Sequence, residues 1–172
     1  MLTKNFYSYM RAALQNTSAE FIQTNGTTKL ISINSGQEPP FSAMKKWSGN
    51  VSENGVCFGT GTTPATTSDY CLESVLSSTQ ISVSVPSAVS FSQGSTFDEY
   101  SVGFGVTNTT DEEITISEVG LIAKPYYIFA TQGSTVYYVL VDRTVLDVPV
   151  TIPAHETKHI AYTFRFNYGD AV

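Results

Sequence analysis

The sequence predicts a mainly β chain: an antiparallel β-sandwich or jelly roll with one short N-terminal α-helix. Three observations lead there. Of 172 residues, 41% are hydrophobic and only 14% charged, enough apolar material in one domain length to bury a core. Ser and Thr together supply 42 residues, and Thr, Val, Ile, Tyr and Phe suit pleated, half-buried strands. From Gln80 onward, apolar and polar residues alternate in runs separated by turn formers.

Taken in order, Thr3 stands as an N-cap before Phe6, Met10, Ala13 and Leu14. Their i, i+4, i+7, i+8 spacing predicts a helix over 3–16 with those four residues on one apolar face, a surface for docking onto neighbouring subunits. Residues 19–24 and 27–33 flank Asn25-Gly26, which signals a hairpin with a two-residue type I′ turn and Leu30, with Phe21, facing inward. Between 34 and 55 the periodicity is lost among Pro39-Pro40 and Ser48-Gly49-Asn50. This predicts a long ordered loop anchored by Phe41 and Trp47, a candidate contact surface because loops of that length commonly bind something. Strands are then expected at 81–85, 100–106, 114–116, 119–121, 136–140 and 160–166. In the last of these, residues 160, 162, 164 and 166 share one face, as in a half-buried antiparallel strand. With no internal repeat and no boundary, residues 1–172 read as one domain.

The formal charge of −6 argues against nucleic acid and against an anionic membrane, since both recognise clustered cations. No run reaches the ~20 apolar residues of a membrane span, and residues 1–7 lack the pattern of a secretory signal. Cys57 and Cys71 are expected as free, partly buried thiols, with a single bridge as the alternative. Asn16, Asn25, Asn50 and Asn108 match the glycosylation pattern, as chance allows in a chain so rich in Ser and Thr.

His155-Glu156-Thr157-Lys158-His159 matches the zinc-protease pattern H-E-x-x-H. That chemistry needs a helix, because i and i+4 lie about 13 Å apart on a strand. Pro153 before it and the alternation after it predict a turn running into a strand, so no metal or other cofactor is expected. Gly59-Thr60-Gly61 lacks the Lys of a phosphate loop, and Gly103-Phe104-Gly105 lacks the third Gly of a dinucleotide loop. Both sets read as backbone devices, a tight turn and a close-packing or bulge site. No Gly-x-Ser-x-Gly elbow is present, so no catalytic residues are assigned. Tyr126-Tyr127 and Tyr137-Tyr138 are expected in the core or in a subunit interface.

Several segments taken together are similar to small virion structural proteins of tailed bacteriophages. They are residues 57–74 (Cys-Phe-Gly-Thr-Gly-Thr-Thr-Pro-Ala-Thr-Thr-Ser-Asp-Tyr-Cys-Leu-Glu-Ser), 116–121 (Ile-Ser-Glu-Val-Gly-Leu), 143–146 (Arg-Thr-Val-Leu), 150–154 (Val-Thr-Ile-Pro-Ala) and 162–166 (Tyr-Thr-Phe-Arg-Phe). The resemblance spans residues 55–166. It implies a non-enzymatic assembly protein of the virion, built in the host cytoplasm, forming homo-oligomers and contacting other virion proteins in a tail, neck or fibre-anchoring position or as head decoration. His155 departs from it, standing in a turn where relatives are expected to have Gly.

Read directly, Gly59 and Gly61 let the strand exit bend, Pro64 stiffens the turn, and Ser68 or Asp69 caps a helical turn burying Tyr70 and Leu72. Glu118 and Arg143 are charges set in apolar strands, and such charges require a partner, so the two are expected to pair. Candidate interface residues are Phe6, Met10, Leu14, Phe41, Trp47, Tyr126 and Tyr127. The alternative function is a carbohydrate-binding adhesin that receives a host-surface glycan on the Tyr126-Tyr127 and Tyr137-Tyr138 region or on the Thr-rich loop.

Overall fold

The computed structural model describes residues 1–33, 46–50, 53–84, 89–124, 126–129 and 133–167, the backbone alone at 126–129 and 133–135. The sequence-predicted Phe41 and most of the 34–55 loop fall outside these residues, as do the side chains of Tyr126 and Tyr127. Among the described residues one helix, α1 (Lys4–Gln15), precedes eleven strands: β1 (Ser18–Ile22), β2 (Thr28–Ser32), β3 (Gly55–Gly59), β4 (Ile81–Ser84), β5 (Ser90–Gln93), β6 (Phe97–Asn108), β7 (Ile114–Ala123), β8 (Tyr126–Phe129), β9 (Gly133–Val136), β10 (Val139–Ile152) and β11 (Thr157–Asn167). The chain is mainly β, and its strand pairs are antiparallel.

Two sheets form the body. The first has the order β10-β7-β3, the second β11-β6-β4, with β5 also against β6. Their inner faces meet in one apolar core, where Phe58 of β3 stands edge-on to Phe104 of β6 with ring centroids 5.8 Å apart. The burial of β11 alternates along the strand, whereas β3 is buried at every position. Strands covered on one face alternate, and strands covered on both read as continuous apolar runs. The expected strands 114–116 and 119–121 are one strand, β7, because Glu118 is accommodated inside the sheet rather than ending it.

The helix divides its apolar face, burying Phe6 in the chain's own core and leaving the other three residues outside it. Its buried residues are Asn5, Phe6, Tyr9 and Ala12, while Met10 is 37% and Leu14 82% exposed. The outcome follows from aromatic packing: Phe6 meets Phe164 of β11, and Tyr9 meets Phe21 of β1. Asn5 fixes this seating by donating to the carbonyls of Ile22 and Leu140 and accepting from the Ile22 N–H. Thr3 makes no side-chain cap; its hydroxyl donates to the Leu140 carbonyl at 2.6 Å instead.

The β1–β2 hairpin forms, but its turn differs from the expected type I′. Gly26 lies at φ +82° while Asn25 does not have positive φ, and Gly26 N–H bonds to the Gln23 carbonyl. A type I′ turn needs positive φ at both central residues, so this is a three-residue loop with one left-handed glycine. The changed register faces Ile31 and Phe21 inward and leaves Leu30 67% exposed.

Candidate functional site

The residues singled out by sequence converge on the outer face of the β10-β7-β3 sheet. Residues 60–76 leave β3, cross that face and return beside it through a bridge between Gly59 and Val75. Beneath them lies a second, smaller apolar cluster of Cys57, Leu72, Ile122 and Leu140. Next to it the structure brings Glu118 and Arg143 together, 0% and 4% exposed, with Arg143 Nε donating to Glu118 Oε2 at 2.8 Å. The two sit on adjacent strands with Val145 opposite Glu118 and Arg143 opposite Gly120, so both side chains rise from the same face.

Both charges are satisfied through the crossing segment. Glu118 Oε1 accepts from the N–H groups of Gly61 at 3.2 Å and Ser74 at 2.8 Å, and Oε2 accepts from that of Glu73 at 3.2 Å. Arg143 donates from Nη1 to Asp69 Oδ2 at 2.8 Å and from Nη2 to the Thr63 carbonyl at 3.1 Å, with Glu73 at 3.7 Å. Glu73 in turn accepts from the Thr62 and Thr63 N–H groups. A buried ion pair is stabilising only when the remaining donors and acceptors are also met. Here they are met by main-chain groups of one loop, so the pair holds the loop to the sheet.

The glycines have a different task from the one expected. Neither Gly59 nor Gly61 has positive φ. A Cβ at either position would lie 2.6 or 2.5 Å from Glu118 Oε1, and one at Gly120 would lie 2.4 Å from Leu72 Cδ1. They provide room for a carboxylate and a leucine rather than a bend. Asp69 closes a turn by accepting from the Thr66 N–H and hydroxyl. No helical turn forms, and Tyr70 stays 40% exposed while Leu72 is buried. Burial pushes the Asp69 carboxyl up, but hydrogen bonds from Arg143 and Thr66 outweigh it and hold the group below its ordinary value. The Arg143 guanidinium loses to burial and gains more from Asp69 and Glu118, so its pKa is raised.

A second polar group joins the sheets. Tyr162 of β11 donates its hydroxyl to Asp142 Oδ2 at 2.9 Å, and the Met1 amino group lies 3.0 Å from Asp142 Oδ1. Burial, then the Asp142 charge, raises the Tyr162 phenol well above its usual pKa. Thr3 N–H bonds to the Val141 carbonyl and Arg143 N–H to that of Met1, laying residues 1–3 along the β10 edge.

The remaining candidates are dispersed. Trp47 bridges to Val56, covers the β3 edge and packs partly buried against the main core. Tyr137 packs against the main core and Tyr138 against the smaller cluster. Cys57 and Cys71 are free thiols, the first buried, and burial raises the pKa of both. His155 sits at φ +59° in a turn closed by Glu156 N–H to the Pro153 carbonyl, and its ring bonds to Asp111 at 2.9 Å. His159 lies on β11, where strand spacing separates it from His155. Gly103 and Gly105 interrupt nothing, since the β6–β11 register is continuous; only Gly105 is tightly packed, against Ser84.

Sequence reasoning missed Asn108, which is wholly buried and ties two turns together: its amide donates to the carbonyls of Glu112, Ile152 and Pro153 while its oxygen accepts from Thr110. The following Thr-Thr-Asp signalled a turn, but nothing in the local pattern signalled burial. Compared with family models, curated proteins and solved structures, the chain matches none.

Proposed function

We propose that this chain is a non-enzymatic structural protein of a tailed-bacteriophage virion, assembling through repeated protein contacts in the tail, neck or fibre anchor or as head decoration. One observation carries the reading. Three of the segments that resemble small virion proteins, 57–74, 116–121 and 143–146, are far apart in sequence yet meet in the Arg143 cluster through Gly61, Asp69, Glu73, Glu118 and Arg143 itself. The resemblance thus follows a three-dimensional unit that holds a loop in shape. That unit's charges bond to the chain's own groups, which suits a scaffold. Apolar side chains face outward elsewhere: Tyr7 and Leu14 on α1, Leu30 on β2 and Val148 on β10. Surfaces of this kind are covered in assemblies.

Cryo-electron microscopy of phage particles purified from cells that express this chain tests the reading. Ordered density for it at a repeated position is the expected result, and particles in which no density or peptide of it is found would falsify the reading. A second reading, a glycan-binding module, draws on Phe91 and Tyr100, two exposed rings 5.1 Å apart and tilted by 48°, on the same face of the second sheet as Val102 and Phe104 but beyond the buried core. Glycan-array binding abolished by Phe91→Ala would favour it.

A further inference from the structure

The two sheets have four edges, and three are blunted. Residues 1–3 lie along β10 at 141–143, and the rest of that strand is interrupted by Pro149 and a register shift between Val145 and Val150. Residues 46–48 and 74–76 lie along β3, with Val56 N–H bonded to the Lys46 carbonyl and Leu76 N–H to that of Phe58. The third edge is divided between β4 and β5, each only four residues long. Brevity and covering are both ways of protecting an edge from pairing. The fourth edge, β11, has no segment paired with it among the described residues. It is eleven residues long, contains no proline, and keeps an unbroken register with β6.

The outward-facing groups of β11 can be assigned. Asn108 N–H bonds to the Glu156 carbonyl, so in this register the even residues of β11 face β6. Thr157, His159, Ala161, Thr163 and Arg165 therefore present N–H and C=O to the open side. We infer that β11 pairs antiparallel with β11 of a second copy, about a two-fold axis at Ala161, making one continuous sheet across the dimer.

The side chains fit that register. Ala161 faces its own copy and is the smallest residue of the strand, His159 falls opposite Thr163, and Thr157 opposite Arg165. Lys158 falls opposite Phe164, and the two copies of Lys158 stand roughly 20 Å apart at strand spacing, beyond the ~8 Å screening length of physiological salt. Arg165 is neutralised within its own chain by Glu99 at 2.8 Å and lies over the Phe97 ring. A head-to-tail arrangement would offer β11 only the short β4 and β5 or the interrupted, proline-containing half of β10. Self-pairing matches its whole length and closes with two-fold symmetry.

The inference deepens the assembly reading and rests on it for its biological setting, but its test uses the purified chain alone and is independent of any particle. Mass measurement by light scattering at tens to hundreds of micromolar should give about twice 18.7 kDa. Ala161→Pro removes an N–H that the β6 ladder does not use, and edge strands tolerate proline at such positions. Ala161→Lys sets two ammonium groups against each other at the axis. Both variants should be monomeric, the second with an unchanged thermal melt, and the amides of residues 157, 159, 161, 163 and 165 should lose hydrogen-exchange protection. A monomeric wild type, or a dimer that survives Ala161→Lys, overturns the inference. Protection of these amides only after another protein is added overturns it as well, and identifies that protein as the occupant.

Discussion

The two sheets share a core but differ in what lies beyond it. The β10-β7-β3 sheet is sealed around Arg143: its outer face there lies under residues 60–76, the β3 edge under Trp47 and Val75, and β10 under residues 1–3 at 141–143, while residues 144–151 of β10 are exposed or half-buried. The β11-β6-β4 sheet is open, with exposed residues at every second position of β11 and an exposed aromatic pair on β5 and β6. Ionic groups follow the same division. The sealed sheet carries a buried charge network, whereas Arg165 and Glu99 of the open sheet pair at the surface, with the arginine half exposed. Sealing is thus achieved by polar groups, and the apolar groups left over are displayed elsewhere.

Breaking the seal should have the largest effect. Glu118→Ala leaves Arg143 buried without its main partner and should cost about 3–5 kcal/mol in denaturant unfolding. Arg143→Ala should cost a similar amount, and in a double-mutant cycle the two should be strongly non-additive; additive losses would show that the pair does not act as a unit. Gly61→Ala drives a Cβ into Glu118 and should cost roughly 1–3 kcal/mol. Its counterpart on the open sheet, Gly103, has open space where a Cβ would stand, with no atom within 4 Å. Gly103→Ala should therefore be neutral or stabilising by up to ~1 kcal/mol, since glycine within a strand is unfavourable. Equal destabilisation at both sites would erase the distinction between the sheets.

Acid should loosen the sealed sheet by way of Asp69. Its carboxyl is lower in the folded chain than in the unfolded one. Its contribution is therefore present above the ordinary carboxylate range and is lost as the pH falls through the folded value. Asp69→Asn should flatten the acid limb of a stability-versus-pH curve, and an unaltered limb would assign the acid sensitivity elsewhere. The smallest effect is expected at the turn before β11. His155→Gly relieves a left-handed conformation but gives up the exposed bond to Asp111, and the melt should show a net gain below ~1 kcal/mol.

What could be read from the sequence depended on which physical rule governed each residue. Strands with one solvent face were legible, because period-two alternation survives in Ile160, Tyr162 and Phe164. The helix does not bury the apolar face its sequence shows: Phe6 is buried, but Asn5 and Tyr9 join it in place of Met10 and Leu14, through contacts with β1 and with β10 and β11, over a hundred residues away. Leu30 and Ile31 exchange faces because one left-handed glycine alters the turn by a residue. At the candidate site, Glu118 and Arg143 stand out as charges in apolar surroundings, yet their oxygen and nitrogen partners are mostly backbone atoms of residues 61–74, which no side-chain pattern announces. The glycines of that loop are visible in the sequence, but their reason, a carboxylate approaching from another strand, is not.

Trp47 is the chain's single tryptophan, and its position gives it a further use. Its indole N–H is buried and has no hydrogen-bond partner among the described residues, and its backbone is joined to the edge of β3. Ultraviolet emission from this protein therefore comes from an apolar ring at one known place. A red shift in that emission reports water reaching the β3 edge, and comparison with circular dichroism separates local release of the 46–48 segment from loss of the sandwich as a whole.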